Sequence, residues 1–368
     1  MGKLCNLEEF HLTSNNYEGN VSMVFEILSS KILDEMRGFK NLQSLSLSVN
    51  KFSGPMPMSI FGNGALPEFP ASLSKSAPPQ FSMNNPSASA PNSRPVCQLC
   101  SKVGHIASRC YQRFNLDFPE SLYISSNKLS GSLPTSFGSL SNLEYLFIDS
   151  NNFKGDDVSE VHFANLTKLK FIYASRNKLS MKVGSKWVPP FSLENIELRN
   201  WNLGPHYPIW LKSRKDISQI DISNTGILGV ILQWFWNNFF SNRFITVDIS
   251  ENQIYGPVPR IPISDMLDLS NNYLSDIEPE RTTGFLRNLE SLHLRNNNLV
   301  GEIPDSLKNC LALSGLDLGL NKLVGTIPRW IGSLPSLGLL VLRSNNLTGT
   351  NYQVKSQKNL QVFKDYNR

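Results

Sequence analysis

The sequence predicts an α/β solenoid, a curved parallel sheet of about twelve stacked repeats, with an inserted loop that stands outside the stack. Three observations carry that reading. Apolar residues recur as L-x-x-L-x-L-x-x-N, and most successive asparagines of this pattern lie 24–27 residues apart. The second half of several repeats reads L-x-G-x-I-P. Between Asn50 and Asn127 the period fails, and residues 64–118 have a composition unlike the rest of the chain.

The repeats come first. "LEEFHLTSN" closes on Asn15 and "LQSLSLSVN" on Asn50. After the gap, "ESLYISSN", "LEYLFIDSN" and "LKFIYASRN" close on Asn127, Asn151 and Asn177. Asn252, Asn272, Asn297, Asn321 and Asn345 close five more copies. Two degenerate copies between these groups put Trp201 and Thr225 at the asparagine position. The L-x-L core predicts a short strand with alternate side chains turned inward. No coil buries its apolar side alone, so each must stack on its neighbours, and each buried leucine contributes roughly 1.5–3 kcal/mol. The asparagine amide offers donor hydrogens and an acceptor oxygen, enough to bridge the loop backbones of adjacent coils. By that reasoning Trp201, with one donor, cannot replace asparagine, whereas Thr225 does so in part.

The second half-repeat appears in "FSGPMP" (52–57), "LSGSLP" (129–134), "IYGPVP" (254–259), "LVGEIP" (299–304) and "LVGTIP" (323–328). Its glycine permits a turn backbone that other residues resist, and its proline ends strand pairing. The apolar stretch 226–240 is only 15 residues long and ends in Asn237 and Asn238. A bilayer crossing needs about 20 apolar residues, so the stretch is predicted to be buried within a repeat.

The interruption has two parts. Removing residues 64–118 leaves 22 residues between Asn50 and Asn127, nearly one repeat. Residues 64–95 contain seven prolines and seven serines and no repeat pattern, the composition of a flexible linker. Next come Cys97, Cys100, His105 and Cys110, spaced C-x2-C-x4-H-x4-C. Thiolates and imidazole are preferred ligands of tetrahedral zinc. With four protein ligands no position is left for a catalytic water, so one structural Zn(2+) per chain is expected. The chain thus divides into repeats at 1–63, a Pro/Ser linker at 64–96, a metal-binding unit and tail at 97–118, repeats at 119–350 and a truncated repeat or frayed tail at 351–368.

Charge follows the same division. The net charge is +5, and residues 64–118 hold five Lys and Arg against two acidic residues, so most of the excess lies in the insert. Attraction to polyanions is therefore expected there. Cys5 and Cys310 lie far apart along the repeats and are expected to be free thiols. No P-loop, G-x-S-x-G, kinase or H-E-x-x-H pattern occurs, and His11, His162, His206 and His293 stand apart from one another, so no catalytic constellation is read. The variable strand positions instead predict a binding surface on the concave face for a peptide or protein ligand. Glu144, Tyr145, Phe147, Asp149, Glu194, Glu197, Arg199, Asp221, Asp248, His293, Arg295 and Asp317 lie there.

The repeat text resembles the plant extracellular type of leucine-rich repeat. "EVHFANLTKLK", "WVPPFSLENIELRNWNLGPHYPIWL" and "LRSNNLTG" are similar to plant receptor-like proteins of the immune type, including those that recognise fungal xylanase. That resemblance implies a non-enzymatic ectodomain of a defence receptor that signals through a partner receptor kinase when anchored in a membrane. It also implies N-glycosylation, for which Asn20, Asn165 and Asn346 begin sequons. "MGKLCNLEEFHL" carries no apolar secretion core, so the sequence as it stands predicts an internal ectodomain fragment placed in cytosol or nucleus. "RPVCQLCSKVGHIASRCYQRF" (94–114) resembles the zinc knuckle of Copia-type retrotransposon gag proteins. That second resemblance implies binding of single-stranded RNA or DNA. Leu99, Val103 and Ile106 would form an apolar shelf, Lys102, Arg109 and Arg113 would hold phosphates, and Tyr111 or Phe114 would stack on a base.

Overall fold

In the computed structural model the described residues are 9–21, 43–56, 120–213, 216–237, 246–258, 265–277, 288–348 and 361–363. They form a solenoid whose spine is one parallel sheet of thirteen three-residue strands, laid down in chain order from Glu9–His11 to Gln361–Phe363. The register never slips. Leu45, Leu122, Leu146, Ile172, Ile196, Ile220, Val247, Leu267, Leu292, Leu316 and Leu340 pair centre to centre along the sheet. Each is buried, while nearly all the residues flanking them on the strand are partly exposed. This is the in/out alternation a strand imposes.

Strand Ser44–Ser46 pairs directly with Ser121–Tyr123, so the sheet is continuous across the segment between them. Asn127 even reaches back 80 residues to donate to the Leu47 carbonyl at 3.0 Å. The linker and metal-unit boundaries at 64–96 and 97–118 lie outside the described residues. Beyond residue 350, Gln361–Phe363 pairs in parallel with Leu339–Val341 as a thirteenth strand, the truncated-repeat alternative of the two readings given for the tail.

Each of the twelve repeats read from the sequence turns at the same point. The residue just before the anchor position is left-handed in all of them, from Ser14 to Ser344, with φ between 51° and 69°. The degenerate copies obey the rule through Asn200 and Asn224. The anchors from Asn50 to Asn321 are buried and work as a ladder, which half-buried Asn345 continues. Nine asparagines donate across to the preceding coil, as Asn151 does to Ile124 (3.0 Å) and Asn321 to Leu294 (2.9 Å). Their Oδ1 atoms accept a backbone N–H of that same coil, as Asn177 does from Phe153 at 3.3 Å.

At the two degenerate copies the structure reverses the expectation. Trp201 donates its indole N–H to the Ala174 carbonyl at 2.9 Å, which is the cross-coil bond asparagine makes elsewhere. Thr225 makes no such bond; its hydroxyl donates within its own coil to Ile222 at 2.7 Å and lies 3.3 Å from the Asn252 Oδ1. Counting donors missed that a long side chain needs only one when it can reach.

The L-x-G segments build a second layer. Lys51–Pro55, Lys128–Gly131 and Asn152–Val158 join Glu18–Asn20 and Lys178–Met181 in a five-stranded parallel sheet, and shorter sheets continue it downstream. Gly54, Gly131, Gly256, Gly301 and Gly325 all sit at φ between 82° and 89°. Behind them, short 3-10 turns such as Thr135–Ser139 and Glu160–Phe163 close the coils. There a Cβ on Gly138 would meet the Val161 carbonyl at 2.1 Å, so only glycine lets these two turns touch. Between the layers runs one continuous apolar core. The non-repeat text thickens it: Trp187 packs on Phe163, Phe191 and Trp210 with ring centroids 5.8–6.4 Å apart. Within the 226–240 stretch the described residues are buried only in part. Phe235 and Trp236 enter the core from the short helix Gln233–Asn237, while Leu228, Val230 and Leu232 stay exposed.

Candidate functional site

The thirteen strands turn one face away from the core, and the repeat arranges that face in columns. The third strand position reads His11, Ser46, Tyr123, Phe147, Tyr173, Glu197, Asp221, Asp248, Asp268, His293, Asp317 and Val341. Along this column the chemistry turns from aromatic to acidic between Tyr173 and Glu197. Tyr123, Phe147 and Tyr173 stack with ring centroids 4.6 and 4.5 Å apart, and beside them Tyr145 stacks on Phe171 at 4.7 Å. All five rings are half-buried. Each stacked pair contributes about 0.5–1.5 kcal/mol, and stacking leaves mainly ring edges to the surface.

The next four coils of the column are acidic, and Asp317 adds a fifth carboxylate beyond His293. Glu197, Asp221, Asp248 and Asp268 follow one another on paired strands. The aspartates are held by a local device: Asp221, Asp248, Asp268 and Asp317 each accept the backbone N–H of the residue two further on, at 2.8–2.9 Å. This is the Asx-turn chemistry of a D-x-S or D-x-G sequence. Burial pushes Glu197 up to about 7, with Asp221 and Asp149 adding like charge and Arg176 opposing. Burial also pushes Asp248 up to about 6. The first position of these strands supplies Asn195, Gln219, Thr246 and Met266 rather than cations. Gln219 donates to Glu197 at 2.6 Å, and Asn195 donates to the Tyr173 hydroxyl at 2.9 Å, joining the aromatic and acidic stretches. One column further, Arg199 is engaged by Glu251 and donates to Ser223 at 2.9 Å.

At the other end of the aromatic stretch the face dips into an open depression of about 380 Å³, rimmed by Glu9, His11, Gln43, Ser46, Glu120 and Tyr123. The structure thus gathers Tyr145, Phe147, Glu197, Asp221, Asp248, His293 and Asp317 on one face, with Glu144, Glu194, Asp149, Arg199 and Arg295 at its margins. Residue-by-residue reading missed Tyr123, Phe171, Tyr173 and Asp268. Writing the aligned repeats as columns finds them, because they occupy the same positions in "ESLYISSN", "LKFIYASRN" and "DMLDLSNN".

Other expected sites fall elsewhere. Cys97, Cys100, His105 and Cys110, together with Leu99, Lys102, Val103, Ile106, Arg109, Tyr111 and Arg113, lie outside the described residues, as does Cys5. Among the described residues no group of three or more His, Cys, Asp or Glu is arranged to hold a metal. Cys310 is a buried free thiol. The sequon residues Asn20, Asn165 and Asn346 are all exposed. No helix among the described residues is long and apolar enough to cross a membrane.

These features define a leucine-rich-repeat solenoid with a patterned strand face. Residues 120–179 and 287–347 match a family described as Leucine rich repeat, and 41–63 match a second family of the same description. The chain is similar to receptor-like protein EIX2 of Solanum lycopersicum, at 33% identity over 183 residues, which is 44% of this chain and 18% of that protein. Among solved structures it is similar to a TDR receptor, with a TM-score of 0.67 at 22% identity over 97% of this chain and 56% of that one. It is also similar to the Arabidopsis receptor kinase HAESA, crystallised with the peptide hormone IDA and the co-receptor SERK1, with a TM-score of 0.52 at 21% identity over 97% and 62% of the two chains. The chain therefore spans less than a fifth of the length of the EIX2 relative it matches. Nothing in these relatives supports the cytosolic or nuclear placement expected from the sequence.

Proposed function

We propose that the chain is a non-enzymatic ligand-binding scaffold of the defence-receptor kind, and that its ligand, a peptide or protein segment, lies along the strand face between Tyr123 and Asp317. The observation that carries this reading is the run of half-buried aromatic rings and carboxylates on a sheet face that the core does not use. Exposed apolar groups gathered in one patch mark interaction sites. The HAESA structure, whose ligand is a peptide hormone, has the same fold. In this reading the scaffold sits outside the cell, its exposed sequons carry glycans, and signalling passes through a partner receptor kinase if the protein is membrane-anchored. The test is retention of peptides under 5 kDa from plant extracellular fluid by the immobilised chain. Peptides held by the native chain and lost from a Tyr145→Ser, Phe147→Ser variant bear the reading out; equal retention by both contradicts it.

A second reading concerns the insert and rests on its spacing alone. Cys97, Cys100, His105 and Cys110 bind one Zn(2+), and the surrounding Leu99, Lys102, Val103, Ile106, Arg109, Tyr111 and Arg113 take single-stranded RNA or DNA weakly. The chain would then be a zinc-dependent nucleic-acid binder of retrotransposon origin, or a gene fusion without receptor function.

A further inference from the structure

The strand face changes chemistry in one step, between Tyr173 and Glu197 on adjacent strands. On one side lie five aromatic rings; on the other, four carboxylates in consecutive coils. Phe147 is sandwiched by Tyr123 and Tyr173, so both its faces are taken and a guest meets the edge of the stack. Such an edge accepts aliphatic, proline or aromatic side chains; it offers no free ring face at its centre for a sugar. The carboxylates carry the opposite demand. Their strands bring no lysine or arginine to the face; the guanidinium of Arg199, one column away, is engaged by Glu251 and also feels the charges of Asp221 and Asp248. Glu197 and Asp248 are crowded enough that burial and like charge raise both above the ordinary carboxylate range. A guest cation relieves that crowding.

Geometry fixes how the two demands combine. Neighbouring strands lie about 4.8 Å apart. Phe147 and Asp221, at the centres of the two stretches, are three coils apart. The separation is roughly 14 Å, and an extended peptide advances about 3.3 Å per residue, which makes the match four or five residues.

Building on the scaffold reading above, we propose that this face selects an extended peptide that places an apolar side chain over the Phe147 stack and, four or five residues away, a lysine or arginine between Glu197, Asp221 and Asp248. The peptide runs along the sheet, across the strands. A peptide with glutamate in the cationic place is rejected by like charge, and one with serine in the apolar place loses the aromatic contact.

The probe is a random 12-residue peptide library displayed on phage and panned against the full chain. Enriched peptides are then synthesised and titrated against the native chain, a Phe147→Ser variant and an Asp221→Asn, Asp248→Asn variant, each first shown to melt cooperatively. The expected result is enrichment of Lys or Arg at four or five residues from an apolar residue, with affinity falling at least tenfold in each variant. Enriched peptides of another pattern that still weaken with Phe147→Ser overturn this selectivity and leave the scaffold reading standing. Peptides whose affinity neither variant moves overturn the assigned face, and failure to enrich any peptide overturns both.

Discussion

Trp201 donates its indole N–H to the carbonyl of Ala174 at 2.9 Å, and both residues are buried. The two departures from the repeat compensate each other. Trp201 stands where other coils have asparagine, and Ala174 stands where the preceding coils have Leu12, Leu47, Ile124 and Ile148. The small residue makes room for the large one, and the large one still makes the bond the ladder needs. A small void of about 10 Å³ remains in this part of the core, lined by Ala174, Trp201, Trp187 and Trp210 among others. Ala174→Leu is therefore expected to overpack and cost about 1–3 kcal/mol. Trp201→Asn alone should cost at least as much by vacating volume. The double variant restores the common repeat and should cost less than the sum of the two. A double-mutant cycle by chemical denaturation measures the coupling; strict additivity would remove the compensation.

Val49 is left-handed at φ 56° and exposed, at the position just before Asn50. A β-branched side chain there bears strain that asparagine, which visits this region readily, does not. Val49→Asn is expected to raise stability by about 1 kcal/mol without touching the core. Urea midpoints of the two proteins check it, and a midpoint that falls would contradict the strain argument.

The stack was legible because one rule repeats. An apolar residue every second position and a buried amide at each turn leave the chain few alternatives, and all twelve left-handed residues lie where the alignment puts the turns. What could not be read were the exceptions that depend on reach and volume. The Trp201 bond is invisible without knowing that Ala174 is small and adjacent. The thirteenth strand carries too little of the pattern in "NLQVFKD" to stand out. For the strand face, single residues looked like ordinary polar surface. Only their succession in one column separates the Tyr123–Tyr173 rings from the Glu197–Asp268 carboxylates, and that succession shows in the sequence only when the repeats are aligned column by column.

Cys97, Cys100, His105 and Cys110 are expected to hold one zinc ion per purified chain. Metal binding in such a unit is also its folding, because the ligands are not preassembled. Elemental analysis should give a zinc-to-protein ratio near one, and Cys100→Ser should lose the metal. The melting of the solenoid should stay unchanged, because its sheet pairs Ser44–Ser46 with Ser121–Tyr123 directly. Metal-free soluble protein would end the zinc reading.

The raised carboxylates give stability a pH dependence of unusual sign. Glu197 sits at about 7 and Asp248 at about 6, both chiefly through burial. In the unfolded chain they return to the ordinary range near 4. Between those limits the folded protein keeps protons that the unfolded chain has released, so stability falls as pH rises. The penalty is absent below about pH 4 and complete above about pH 7. Glu18 and Glu160 are shifted the other way by their hydrogen bonds to Lys51 and the Gly184 backbone. Those two oppose the trend only below the ordinary carboxylate range, outside the window of interest. The melting temperature is therefore expected to rise as pH is lowered from 8 to 5.5. A Glu197→Gln, Asp248→Asn variant should melt higher than the native chain at pH 8 and show a flatter dependence across the window. Parallel melting curves for the two proteins would show that these carboxylates are not held above their ordinary range.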